Sequence, residues 1–405
     1  MQTNKLSYIN KEVEVPLNKS IFNRLLILNY LYGNEKLMLP TNAPDDVVLL
    51  YGLLQENIPE VCYCDNAGSV LRFILSVAAL QNKGTLITGS SRMKQRPVKE
   101  LVTMLKNLGS EIEYTENQGF PPVIIKKRLN LDKRILDIGA TASSQFISSL
   151  MMIGGKLSNG LTINMKCKPP SYTYICMTAS MMNKIGLPTS VTENQITVSH
   201  ADEKIDIKNI DLEYDWSAAA FWYALLSCYN EGKIKIKNLY LSNLQGDCII
   251  SSYMKNYNIV TTAVEDGIII EKKATGPKAN NLWFNLIDTP DLAPAIAVAA
   301  AINNITTTLC GLENLKWKES DRFKLIISNL NSLGYKVEAT SDNMITVYQN
   351  KNDLDKIENL TIITGNDHRI AMAFSIFEKI NRNIKLDNYD CVSKSYPDFF
   401  DNINK

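Results

Sequence analysis

Histidine is nearly missing from this chain, at two residues in 405. The eight cysteines form no cluster with metal-ligand spacing. Together these scarcities exclude an ordinary zinc centre, which needs three or four such ligands brought together. The one close pair, Cys62-Tyr63-Cys64, reads as alternation along a strand. An excess of charge of either sign is missing too: the net value is +1, so bulk attraction to nucleic acid or to an anionic membrane has no source. No apolar run reaches the roughly 18 residues that a spanning helix requires; Ala293 to Ile302 is far shorter. A Gly-x-Gly-x-x-Gly fingerprint is absent, which argues against a dinucleotide fold. The opening Met1-Gln2-Thr3-Asn4-Lys5-Leu6 lacks the basic-then-apolar order of a signal peptide. These absences predict a cytoplasmic protein with reduced thiols, no metal, no organic cofactor, no nucleic acid and no membrane partner.

What is present is repetition. Polar residues open a helix at Lys19-Ser20, Gly68-Ser69, Ser143-Ser144, Asp215-Trp216-Ser217, Asp291 and Asp367-His368-Arg369. After the first, the openings recur at roughly 74 to 76 residues, the mark of a repeat architecture. Each opening leads into an apolar helix, a Gly or Asn break and a β-rich run, as in Gly84-Thr85-Leu86-Ile87-Thr88 and Gly160-Leu161-Thr162-Ile163-Asn164. A second helix follows, over Val98 to Leu108, Met177 to Ile185 and Asp321 to Leu333, with Gly109, Gly186 and Gly334 as stops. Alternating runs such as Tyr335 to Ala339 and Met344 to Tyr348 close the unit as a hairpin. The pattern predicts an α/β fold of β-α-β-α-β-β units, three to each of two domains.

The helix openings carry the chemistry. A helix N-terminus offers unpaired N–H groups and a partial positive charge, so it prefers anions. Here cations stand at those places instead: Lys19 and Arg24, Arg72, Arg92 to Arg96, Lys316 to Arg322, Arg369, and Lys394 in a strand-turn before Pro397. Bound phosphates or carboxylates would resolve the mismatch. Asp215 and Asp291 suit N-caps, Asp367 accompanies the last cationic start, and Glu319 between Lys318 and Arg322 suits proton transfer.

In order along nearly the whole chain, these segments resemble 5-enolpyruvylshikimate-3-phosphate synthase, of the enolpyruvyl transferases. The shared segments are Lys19-Ser20-x3-Arg24, Asn66-Ala67-Gly68-Ser69-x2-Arg72, Arg92-Met93-Lys94-Gln95-Arg96-Pro97, Ser143-Ser144-Gln145, Ser171-x2-Tyr174, Lys318-Glu319-Ser320-Asp321-Arg322, Asn366-Asp367-His368-Arg369 and Lys394-x2-Pro397-Asp398. The resemblance implies the inside-out α/β barrel of that family, built as two domains with the active site in the cleft between them. Residues 1–17 with 218–405 would form one domain and 18–217 the other.

It further implies two small-molecule partners and no cofactor. Phosphoenolpyruvate would be held by Lys19, Gly68, Arg96, Gln145, Arg322, Arg369 and Lys394. Shikimate-3-phosphate would be held by Lys19, Ser20, Arg24, Ser143, Ser144, Gln145, Ser171, Tyr174, Asp291, Asn314 and Lys318. Asp291 would accept the hydroxyl proton; Glu319 and Lys19 would handle protons at C3 and the leaving phosphate, with Lys394 and His368 in support. The enzyme would act as a monomer in the shikimate pathway to aromatic amino acids. Two positions depart from the family pattern: Pro16-Leu17-Asn18 replaces Pro-Gly-Ser, and Arg72-Phe73 replaces Arg-Pro. The alternatives are a transferase using UDP-N-acetylglucosamine, whose loop Cys has no counterpart in Ser90 to Gln95, and a binding protein without catalysis.

Overall fold

The computed structural model describes residues 6–404 except 34, 42, 56, 82–83, 140–142, 202–204, 206, 208–209, 211, 275–279 and 351–352. The chain divides into an inserted unit, Lys19–Leu212, and a terminal unit, Met1–Asn18 with Glu213–Lys405. The division therefore falls before Glu213 rather than after Ser217, where the sequence placed it. The cause is local. Asn18 N–H donates to the Glu213 carbonyl at 2.8 Å, Asp215 N–H donates to the Pro16 carbonyl at 2.8 Å, and Leu17 bridges Tyr214. Asp215 then caps the helix Trp216–Ser227, which is buried in the terminal unit's core, so the residues leading to it belong there.

In the terminal unit three inner helices, Trp216–Ser227, Ala293–Asn303 and His368–Phe374, pack on one another. All twelve residues of Trp216–Ser227 are buried. A helix that is apolar all round has no solvent face and must be enclosed. Alanines make this possible: Ala218 to Ala220 and the run Ala299 to Ala301 let the helix axes approach closely. Around them lie two four-stranded sheets. In the first, Leu6–Glu14 runs parallel to Tyr229–Lys237, which pairs antiparallel with Gly267–Lys272, which in turn pairs with Ile259–Val264. The second repeats that order with Asn281–Asn285, Thr306–Cys310, Met344–Val347 and Val337–Ser341. Among the described residues the last repeat shows only the parallel pair Leu360–Ile362 and Ile384–Leu386.

The inserted unit follows the same plan. Its inner helices Lys19–Tyr32, Gly68–Ala78 and Ser144–Gly154 are mutually packed, and every residue of Gly68–Ala78 except Ser69 is buried. Two four-stranded sheets again show the first-second-fourth-third strand order. The first repeat is represented, among the described residues, by Lys19–Tyr32 and Asp45–Leu53 without strands. Outer helices such as Lys99–Asn107 and Arg322–Ser332 bury only one side, so they cover the assembly instead of filling it. The expected glycine stops are realised at Gly109, Gly186 and Gly334, with φ of 97°, 86° and 85°. Cys62 and Cys64 both point inward and Tyr63 outward, as strand alternation requires. This architecture sets the starts of three inner helices together in each unit, and the polar residues named above are those starts.

Candidate active site

In the terminal unit the three starts are acidic, and one arginine joins two of them, Asp291 and Asp367, to Glu319. Arg322, 1% exposed, donates from Nη1 to Asp291 at 2.7 Å, from Nη2 to Glu319 at 2.7 Å, and from Nε to Asp367 at 2.8 Å. Its position follows from Asp321, which caps the helix Arg322–Ser332 by accepting from Lys324 N–H and so fixes Arg322 at the first turn. Asp367 in turn caps His368–Phe374 through Arg369 N–H at 3.0 Å and accepts from Ser320 Oγ at 2.9 Å. Burial alone would lower the guanidinium's proton affinity, but Asp367, Glu319 and Asp291 drive it above its ordinary value. A buried arginine of this kind is held by charge-assisted bonds that satisfy its full fork.

Asp291 receives two further cations, Lys318 Nζ at 3.2 Å and Arg369 Nη2 at 3.3 Å. It sits in a short turn, Pro290–Leu292, ahead of the helix Ala293–Asn303 rather than as that helix's cap. Burial pushes its carboxyl up, yet Arg369, Lys318 and Arg322 hold it well below the usual carboxylate range, against the opposing charge of Glu319. Asp291 is therefore an anion at any ordinary pH. Asp291, Glu319, Lys318, Arg322 and Arg369 thus form one cluster, and His368, 1% exposed, lies beside it in sequence between Asp367 and Arg369. Asn314 and Lys394 are half-buried, Asn314 leading into the turn Leu315–Trp317. Lys394 ends the turn Asp390–Lys394 rather than lying in a strand-turn.

The inserted unit is cationic instead. Lys19 is the first residue of Lys19–Tyr32, and its ammonium pairs with Asp46 at 3.0 Å. One turn on, Arg24 is 2% exposed and has no carboxylate partner among the described residues. It donates to Thr178 Oγ1 at 2.7 Å, to Ser148 Oγ at 3.1 Å and to the Ser20 carbonyl at 2.9 Å, with the Phe73 ring 5.4 Å and the Tyr174 ring 5.7 Å from its guanidinium carbon. Burial brings its affinity for a proton down to about 10, with Tyr174 acting the other way. Phe73, which stands where the family has Pro, is thus explained as a ring against Arg24. A buried cation among hydroxyls, without an acid, is suited to an anionic ligand.

Gly68 does the corresponding work for two more guanidiniums. Arg72 donates to the Gly68 carbonyl at 2.8 Å and Arg96 to the Asn66 carbonyl at 3.1 Å. A Cβ on Gly68 would lie 2.4 Å from Arg96 Nη2 and 2.5 Å from Arg72 Nη1. Only glycine lets both sit against the helix start. At the third helix start, Ser143 accepts from Gln145 N–H at 3.3 Å and Ser144 is buried. Ser171 holds φ at 58°, a strained value for a serine, in the loop leading to Tyr174. Asp46, Ser148 and Thr178 here, and Asp247 in the terminal unit, were not singled out from the sequence; Asp46 and Asp247 carried only the weak signal of an acid in a helical first turn.

Comparison with known proteins gives the family and the fold. A family model described as EPSP synthase (3-phosphoshikimate 1-carboxyvinyltransferase) matches residues 40–403. A 3-phosphoshikimate 1-carboxyvinyltransferase of Bacteroides fragilis is 32% identical over 98% of this chain and 96% of its own. One from Methanosphaerula palustris is 28% identical over 95% of this chain and 94% of its own. Among solved structures, EPSP synthase from Acinetobacter baumannii superposes with a TM-score of 0.71 at 19% identity, covering 100% of this chain and 96% of that one. The enolpyruvyl transferase NikO from Streptomyces tendae gives 0.68 at 12% identity, over 99% and 95%, which extends the likeness in fold. The chain belongs to the EPSP synthase (3-phosphoshikimate 1-carboxyvinyltransferase) family.

Proposed function

We propose that the two clusters carry out the family's reaction, transfer of the carboxyvinyl group of phosphoenolpyruvate to the 5-hydroxyl of shikimate-3-phosphate. The hydroxyl oxygen bonds to C2 of phosphoenolpyruvate while C3 gains a proton, giving a tetrahedral ketal phosphate. The C2–O bond to phosphate then breaks and C3 gives up a proton, leaving the enol ether and inorganic phosphate. In the inserted unit, Arg24 with Ser20, Ser171 and Tyr174 takes the shikimate-phosphate, with Ser143, Ser144 and Gln145 at the third helix start. Lys19, Gly68 and Arg96, with Gln145, take the phosphate side of phosphoenolpyruvate. In the terminal unit, Arg322, Arg369 and Lys394 take its carboxylate side, while Lys318 and Asn314 position the shikimate ring. The partners are these two small molecules, and a single chain acts alone.

The observation that carries the reading is the buried ion cluster on Asp291, contacted by Arg322, Lys318 and Arg369. Three cations hold Asp291 ionised, as a proton acceptor must be, but they also make it a weak base. Substrate anions compete for these cations, and each one drawn off raises the proton affinity of Asp291. Binding and base activation are then one event. Glu319, bonded to Arg322 at 2.7 Å, is released for proton transfer at C3 by the same competition. Lys19 serves the leaving phosphate, and His368 and Lys394 support the charge. The test is Asp291→Asn: equilibrium binding of both substrates within about tenfold of wild type, with turnover reduced roughly a thousandfold or more. Turnover near wild type would remove Asp291 from its role.

A further inference from the structure

Asp247 lies in the short turn Gly246–Ile249, and none of the roles above uses it. It is 5% exposed, and Ser217 Oγ donates a hydrogen bond to its Oδ2. Ser217 is the second residue of the helix Trp216–Ser227, and the turn carrying Asp291 packs on that same helix. The charged groups facing Asp247 come from three elements: Asp215 at the helix start, Asp291 on its turn, and Arg369 in the first turn of His368–Phe374. Unlike Asp291, it has no ion-pair partner among the described residues. Burial first, then the negative charges of Asp291 and Asp215, push its carboxyl up to about 7, against Arg369 and the Ser217 hydroxyl.

We propose that Asp247 is a positioning residue for the acid–base chemistry assigned to Asp291: as an anion it sets a second negative charge beside Asp291 and makes it the stronger proton acceptor, while its bond to Ser217 fixes the helix start on which Asp291 packs. The proposal rests on the role of Asp291 given above. Two neighbouring carboxylates raise each other's proton affinity. When Asp247 is protonated, the three cations outweigh Glu319 at Asp291 and it is a poor base. When Asp247 ionises, part of that cationic hold is offset. Turnover on this account climbs with pH as Asp247 loses its proton.

Asp247→Asn keeps the shape and still accepts from Ser217 but removes the charge. Wild type and variant are compared for kcat and KM of both substrates between about pH 5.5 and about pH 9; the substrates' own phosphates titrate alike for both proteins and cancel in the ratio. The expected result is a kcat lower by roughly three- to tenfold at high pH, converging on wild type at low pH, with KM little changed. A defect equal at every pH would mean a merely structural role and would overturn the proposal. A second readout needs no turnover: carbon-13 NMR of labelled aspartates in the unliganded protein. One carboxyl titrating near neutrality is expected in wild type, absent in Asp247→Asn and moved upward in Ser217→Ala. No such carboxyl, or one that persists in Asp247→Asn, would overturn it as well. Wild-type turnover in Asp291→Asn would instead defeat the reading beneath it, and the NMR titration keeps the two failures apart.

Discussion

Substituting Gly68 by Ala tests how closely the site is built. The added Cβ would stand 2.4 Å from Arg96 Nη2, 2.5 Å from Arg72 Nη1 and 2.7 Å from Arg96 Cζ. Ordinary contact begins at 3.4 Å, so both guanidiniums must retreat by about 1 Å. They are the ends of long side chains, and they can move without disturbing the helix. Gly68 is the first residue of its helix and its φ is not left-handed, so alanine is accepted by the backbone. Stability should therefore change by less than about 1 kcal/mol. Binding should not escape. A charge-assisted hydrogen bond stretched by about 1 Å is lost, which costs roughly 1.5 to 3 kcal/mol. That predicts a KM for phosphoenolpyruvate raised about 10- to 150-fold, with the KM for shikimate-3-phosphate close to wild type. Steady-state phosphate release with each substrate varied in turn, beside a urea unfolding curve, makes the comparison. Equal rises in both KM values, or a large loss of stability with KM unchanged, would refute the reasoning.

Two buried arginines should behave oppositely. Arg24→Met removes a buried cation that has no acid beside it, so the unfolding midpoint should hold or rise while the KM for shikimate-3-phosphate increases at least about 100-fold; a destabilised variant with normal KM would contradict this. Arg322→Met removes the arginine that joins Asp367, Glu319 and Asp291 in the interior, and a stability loss of about 3 to 5 kcal/mol is expected by denaturant titration; an unchanged midpoint would argue against the cluster. Asp247→Asn should stabilise the protein in a pH-dependent way. The folded carboxyl, at about 7, lies above its ordinary 3.8, so the cost of ionising it appears as pH rises past 3.8 and is complete above 7. The variant avoids that cost, by up to about 4 kcal/mol near pH 8 and by nothing at low pH; equal stabilities at both would contradict the sign.

Much of the fold was legible because its repeats are written in local signals. The polar helix starts, the apolar runs and the stops at Gly109, Gly186 and Gly334 each depend on a few adjacent residues. The unit boundary was less so. It depends on Asn18 and Asp215 bonding to Glu213 and Pro16, pairs almost two hundred residues apart, and no neighbouring residue marks them. The site divides the same way. Asp291, Glu319, Arg322 and Arg369 stood out as charges at helix starts, and the structure joins them through Arg322. Asp46 and Asp247 did not, since an acid early in a helix is ordinary and only burial beside Lys19 or Asp291 makes it matter. Ser148 and Thr178 carried no signal: a hydroxyl inside a helix looks like filling until Arg24 is found bonded to it. Phe73 read as a departure from a family pattern and proved to be one wall around Arg24.

The most direct test of the account is phosphate release from phosphoenolpyruvate by the purified protein, with shikimate-3-phosphate or UDP-N-acetylglucosamine as acceptor. Release with shikimate-3-phosphate alone is the predicted result, since Arg24, Ser171 and Tyr174 are the groups proposed to take its phosphate. Release with the nucleotide sugar, or with neither acceptor, would contradict it.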